Sequence, residues 1–358
     1  MTPSSFRKLV EFGALCALSA AILWWFGRKL DWVEVGQAVS HSNVYLLGLA
    51  VLAVCLIYLF QAYRWRALLT PISPTSLKHV FAALTVGFTA IFVFGRLGEL
   101  VRPVVLPLRD PKVRPSASVV TMIVERIFDL LAILILFSAN LLWLKPPAHM
   151  SGEWSRVRIA GITLLIGAVA GIVALNWFRR ESARTVAWLN RRLDRWSFIP
   201  VRLTAIIIRT LEHLAKALRI LVDARSLAVT IGWTIAVWAA IAAANLLVIR
   251  AFGVPFGITE TIFVLGWSIV GSLVPTPGGA AGAFHAATAA GLILLGVERE
   301  TSAAISIVVH LIGFGPALFF GVLYLVRGDI NLTRLRSLTS PKAIEHAVEE
   351  EEIVSVIN

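Results

Sequence analysis

Charge is scarce in this chain. Only 15% of its 358 residues are Asp, Glu, Lys or Arg and 58% are apolar, against about 25% and about 45–50% in a typical soluble domain. That balance excludes a soluble single domain. Cysteine is nearly missing: Cys16 and Cys55 both fall inside apolar runs, so neither a disulfide framework nor a paired metal site is available. Zinc-ligand spacing, a P-loop and a glycine-rich dinucleotide turn are also lacking. No hydrophilic stretch is long enough to fold as a nucleotide-dependent domain, so no cofactor, no metal and no catalytic residue is expected. Acidic residues are the scarcer sign, 21 against 33 Lys+Arg, for a formal charge of +12. In a membrane protein such an excess belongs to cytoplasmic loops facing anionic lipid, a better account than nucleic acid as partner.

Long hydrophobic runs are what the chain does have. Six of them, 9–27, 44–62, 118–143, 157–178, 226–249 and 301–326, are each near the ~20 residues that cross ~30 Å of hydrocarbon as helix. Trp24, Trp25, Trp65, Trp143, Trp177 and Trp233 stand near their ends as interfacial anchors. The first run reads as an anchor rather than a cleaved signal, because Trp24-Trp25-Phe26 followed by Arg28-Lys29 is unlike a small-residue cleavage site. Two further apolar segments, 80–108 and 258–297, are interrupted by Gly95-Arg96-Leu97-Gly98-Glu99 and by Pro275-Thr276-Pro277-Gly278-Gly279. Both read as helical hairpins that turn inside the bilayer. The expected fold class is an all-α polytopic membrane protein, an inverted-repeat bundle of about six full spans plus two re-entrant or broken hairpins.

Basic residues in short loops test the sidedness. A cytoplasmic N-terminus places 62–79, 102–117, 179–225 and the tail in the cytoplasm. The first two carry Arg64, Arg66 and Lys78, then Arg102, Arg109, Lys112 and Arg114, and 179–225 holds eleven basic residues against four acidic. The loops 28–43, 144–156, 250–257 and 298–300 are nearly balanced. The expected location is therefore a bacterial-type inner membrane with both termini cytoplasmic. The chain divides into 1–150 and 151–326, each reading span, span, broken hairpin, span, with an acidic tail over 327–358 that ends in Glu349-Glu350-Glu351-Glu352. Inverted repeats of this kind build many transporters, whose sites lie at the broken helices. Segment 179–225 reads either as amphipathic helix on an anionic lipid surface or as a plain connector.

Ionisable residues deep in apolar segments cost about 2.5–3.5 kcal/mol each on insertion scales, so they mark candidate sites. Arg96, Glu99 and Arg102, spaced three apart, project together and suit a phosphate or carboxylate. Interfacial anchors on a shallow hairpin are the alternative. Glu125, Arg126 and Asp129 lie well inside the third span, with Arg126 able to reach Asp129 at i,i+3. Their surplus of one negative charge calls for Arg96 or Arg102, so the two clusters are expected to meet; a purely packing network is the other reading. Gly278 and Gly279, before a limb that carries His285, offer backbone N–H groups to an anion or simply close helix packing.

Gly95-Arg96-Leu97-Gly98-Glu99-Leu100-Val101-Arg102, then Glu125-Arg126-Ile127-Phe128-Asp129, then Pro275 through Phe284 resemble, in that order, the signatures of the lysylphosphatidylglycerol synthase membrane-domain family, also called flippase-like. The resemblance covers roughly residues 9–326. It implies movement of an aminoacylated phospholipid between leaflets, with synthesis of that lipid left to a separate soluble domain. The chain continues about 30 residues past its last span, a tail of roughly one and a half helix lengths, so the synthase activity is not carried over and a separately encoded synthase is a possible partner. Stand-alone relatives are associated with polyprenol-linked sugars and hopanoid-type lipids. Phe94 and His285 stand where relatives often have Pro and Glu; Phe94 is expected to straighten the first hairpin, and His285 puts the usual headgroup charge preference in doubt. The expected function is a lipid translocase with a polar intramembrane cavity for a phosphate-bearing headgroup. A membrane-embedded transferase and a non-catalytic partner of a synthase are the alternatives.

Overall fold

The computed structural model describes residues 3–145, 154–193 and 224–327. Among them are eleven α-helices and no strand. In chain order these are α1 (Pro3–Gly27), α2 (Trp32–Ser40), α3 (Val44–Leu69), α4 (Leu77–Phe94), a 3-10 turn (Gly95–Leu100), α5 (Val101–Arg109), α6 (Pro115–Trp143), α7 (Trp154–Leu193), α8 (Ala224–Ala251), α9 (Ile258–Ser272), α10 (Ala281–Leu294) and α11 (Arg299–Val326). Most of segment 179–225 and all of the tail beyond Arg327 lie outside the described residues. Each expected span falls inside one helix. By length and composition, four helices among the described residues, α3, α4, α8 and α11, are apolar enough to cross a membrane, and the chain is a multi-pass membrane protein. α4, expected as a hairpin limb, is one of the four.

Local chemistry sets the helix ends. Asn43 and Asp31 accept main-chain N–H bonds at the starts of α3 and α2, Pro115 opens α6 where its missing N–H costs nothing, and the Glu260 carboxylate accepts from the Gly257 N–H at 2.9 Å. α2 was not expected: 28–43 reads as loop, yet the Asp31 cap nucleates a short helix that packs on α11. Non-helical φ/ψ at Glu181 (−118°, 27°) kinks α7, close to where the apolar run gives way to charge.

Helices α3 and α8 run side by side in opposite directions, since the Asn43 N–H donates to Ala251 O (2.8 Å) while Arg64 reaches Thr234. Around this pair, α4 lies on α11 and α9 on α6; α3 packs on α4 and α8 on α9; α5 packs on α6 and α10 on α11. The outer helices break the match, α1 resting on α10 and α7 on α6.

Both interrupted segments are hairpins. The first returns to the side it entered: Thr75, before α4, donates to the Asp110 carboxylate after α5 (2.7 Å), and Ser73 donates to Lys112 O (3.3 Å). The second enters from the opposite end of the bundle, because it follows α8. The two turns touch in the middle, where the Gly278 N–H donates to Phe92 O at 2.7 Å. Gly95 sits at this contact with φ 64°, and a Cβ there would come within 2.9 Å of Thr276 O, so both its conformation and its neighbour require glycine. Phe94 therefore does not straighten the hairpin; α4 ends on it and the chain reverses at the next residue.

At the second turn Gly278, Gly279 and Ala280 take φ of 76°, 62° and 63°, and for alanine the left-handed region costs about 1–2 kcal/mol. Ala280→Gly is expected to raise the thermal midpoint in detergent, whereas Gly98→Ala, whose Cβ would overlap the Ala90 carbonyl of α4, is expected to lower stability by about 1–3 kcal/mol. A second expectation concerns Asp110, in the loop after α5. Burial pushes its carboxyl up, but the Thr75 hydroxyl, the Lys112 N–H and the His79 ring outweigh that and hold it below its ordinary value of 3.8. The stability this carries is full above the unfolded value and is lost as pH falls through the folded one. Melting curves between about pH 5 and pH 3 should show a steeper acid loss in the wild type than in Asp110→Asn.

Candidate functional site

Six charges from α3, the first hairpin and α6 form an alternating chain. From its outer end it runs Glu99, Arg126, Asp129, Arg64, Glu125, Arg102. Arg126 Nε lies 3.2 Å from Glu99 Oε1, and its Nη2 lies 3.2 Å from Asp129 Oδ2. Arg64 grips Asp129 with both terminal nitrogens, at 2.6 and 3.1 Å, the forked geometry that makes arginine–carboxylate pairs strong. Its Nε is 3.5 Å from Glu125 Oε1, and Glu125 Oε2 accepts from Arg102 Nη2 at 2.8 Å. Glu99 and Arg102 stand three residues apart on the first hairpin, so the chain closes on itself through the backbone. Three guanidiniums balance three carboxylates.

Burial grades along the chain. Glu125 is fully buried and Arg64 and Arg102 nearly so, whereas Arg126 and Glu99 are 45% and 28% exposed. The sealed end is braced by neighbours: Arg102 stacks 4.4 Å over the Trp65 ring, and the Trp65 indole N–H donates to Thr121 at 3.0 Å. The Arg102 stem crosses Gly87 of α4, where a Cβ would overlap it.

The two expected clusters do meet, through Arg102–Glu125 and Glu99–Arg126, and Arg126 reaches Asp129 as its spacing foretold. Arg96 lies in the 3-10 turn; its side chain is outside the described residues. Two assignments are corrected. Arg64 reads as a loop charge and Trp65 as an interfacial anchor, yet both are buried within α3, which runs on to Leu69. The apolar Ala67-Leu68-Leu69 beyond them is the signal that α3 does not stop at 62.

Gly278, Gly279 and His285 form a second group at the hairpin contact. The His285 and His310 rings meet edge to face at 4.9 Å, and His310 Nε2 donates to Gly279 O at 3.2 Å. His285 Nε2 is buried without a hydrogen-bond partner. Ser19 of α1 donates to Pro277 O at 3.4 Å. A cavity of about 230 Å³ lies between α3, α8, α9 and α11; its walls are mostly apolar and include none of the nine expected site residues. The six charges are packed against one another.

Removing one partner of a buried ion pair strands the other, at about 3–5 kcal/mol, while exposed pairs contribute about 0–1 kcal/mol. Arg64→Ala and Glu125→Gln are therefore expected to lower the thermal midpoint strongly, and Arg126→Ala hardly at all, in parallel melts of purified protein.

Comparison with curated proteins gives no match. The model of the family described as "Lysylphosphatidylglycerol synthase TM region" matches residues 14–321, a stretch that contains both hairpins, the histidine pair and every charge of the closed chain. The protein belongs to the lysylphosphatidylglycerol synthase membrane-region family.

Proposed function

We propose that this chain is a translocase that moves a phosphate-bearing lipid headgroup between leaflets, and that it is not an enzyme. The observation that carries the reading is the gradient of burial along the charge chain. A network built only to fix helix packing has no need of an exposed end, yet Glu99–Arg126 remains open while the rest is sealed. At that end a lipid phosphate competes with Glu99 for Arg126, and Arg96, one turn away in the sequence, adds a positive charge to a set that is otherwise neutral. Family membership supports a lipid substrate. A transferase reading needs a carboxylate free to act as base, and Glu125 and Asp129 are each held by two arginines.

Other features agree with transport. The helix pairings match two by two about the α3–α8 contact, which supports an inverted repeat of 1–150 and 151–326, with the two hairpins entering from opposite leaflets. Arg66, Lys78, Arg109, Lys112 and Arg114 gather where the first hairpin enters and leaves, favouring a cytoplasmic location for that end and for the N-terminus in a bacterial-type inner membrane. The basic segment 179–225 would then rest on the anionic leaflet, where a separate synthase is also able to dock.

Purified protein in liposomes, assayed by leaflet-specific quenching of labelled phospholipid, tests this. Arg126→Gln should slow transbilayer movement about tenfold, the loss expected for one charge-assisted hydrogen bond, whereas Glu99→Gln, which removes the phosphate's competitor, should alter the rate in the opposite direction, with the fold retained in both. Unchanged rates in both variants would remove these residues from the transport path.

A further inference from the structure

The apolar cavity has a chemistry of its own, independent of the charge chain and of the translocase reading. It begins one turn from Arg64 along α3, at Gln61, and extends past Tyr58 and Ile57 to Val54, about 10 Å at ~1.5 Å per residue. Its far walls are α8 (Ile241 to Val248), α9 (Leu265 to Ser272) and α11 (Val309 to Phe314). Packed interiors leave few voids larger than a water, so a partly open space of about 230 Å³ between helices is large enough for an apolar chain. Apolar cavities of about 150 Å³ stay dry and take up small hydrocarbons.

The polar side chains on these walls point the same way. Tyr58 donates to Gly313 O (2.7 Å), Asn245 to Ile241 O (2.9 Å), Ser268 to Val264 O (3.0 Å), Ser272 to Ile269 O (2.6 Å), and His310 to Gly279 O (3.2 Å). Each spends a donor on a main-chain carbonyl, and the Ser268 hydroxyl also accepts from Thr288 at 2.9 Å. Gln61 differs: its Oε1 is buried at one end of the cavity with no hydrogen-bond partner. An occupant must then be hydrocarbon along most of its length and bring a hydrogen-bond donor. A charged amine is excluded by the cost of burying it unpaired, whereas a hydroxyl is neutral and both donates and accepts, which suits either orientation of the Gln61 amide.

We propose that this cavity is a binding site for a neutral apolar alcohol, its chain lying between α3, α8 and α11 and its hydroxyl at the Gln61 end. The experiment uses the full chain in nanodiscs, photolabelled with a diazirine-bearing 1-decanol and mapped by peptide mass spectrometry. Labelling is expected on Ile57, Tyr58, Ile241 and Val309, with competition by 1-decanol about tenfold better than by decane, the equivalent of one hydrogen bond. Ala244→Phe and Val309→Phe, which fill the cavity from two different walls, should each abolish that labelling. Gln61→Leu should retain it and erase the preference for alcohol over alkane. Glu99→Gln, at the exposed end of the charge chain, should leave it intact, so failure of the translocase reading and failure of this one are separable. Labelling confined to outward-facing residues such as Leu52 and Leu311, or unaffected by both filling variants, would overturn the site. Equal competition by decane in the wild type would overturn the requirement for a hydroxyl.

Discussion

The grip of Arg64 on Asp129 and Glu125 is the interaction on which the bundle depends. It ties α3 to α6, and through Glu125 and Arg102 it ties both to the first hairpin. Without it a span carrying Glu125, Arg126 and Asp129 would hold uncompensated charge in hydrocarbon, a cost that membrane segments avoid by pairing. Buried pairs of this kind rarely add net stability over an apolar core. Their effect is to make alternative helix arrangements far worse, which fixes α3, α5 and α6 in one register. Trp65 packs against the Arg102 guanidinium and is itself held by Thr121.

A second constraint meets the first at the middle of the molecule. The hairpins arrive from opposite ends and touch through main-chain atoms, Gly278 N–H to Phe92 O. Backbones approach this closely only where side chains are missing, which explains the glycines and alanines at both turns. The consequence reaches function, because the 3-10 turn that makes this contact also carries Arg96 and Glu99. The first hairpin thus joins both ends of the charge chain, through Glu99 and through Arg102.

Polar and apolar binding capacity are thereby separated along one helix. α3 presents Arg64 to the charge chain and, one turn earlier, Gln61 and Tyr58 to the cavity. The charge chain and the apolar cavity occupy adjacent but distinct places. Acids and bases equal in number and within reach neutralise one another by contact, as these six charges do.

Hydropathy determined the long helices, because crossing hydrocarbon demands long apolar runs whatever the rest of the chain does, and Gly95, Gly98, Pro275, Pro277 and Gly278 announced the breaks because their backbone preferences are local. The depth of Glu125, Arg126 and Asp129 was legible for the same reason, and so was their need of a partner from the first hairpin. The identity of the deepest partner was not. Arg64 lies 65 residues from Asp129, at the end of a helix where positive charge is ordinary, and a long guanidinium side chain serves equally as a loop anchor or a buried clamp. Only the packing of α3 against α6 and α8 decided between them, just as only the antiparallel pairing of α3 and α8 brought two turns 180 residues apart in sequence, roughly, to a single point.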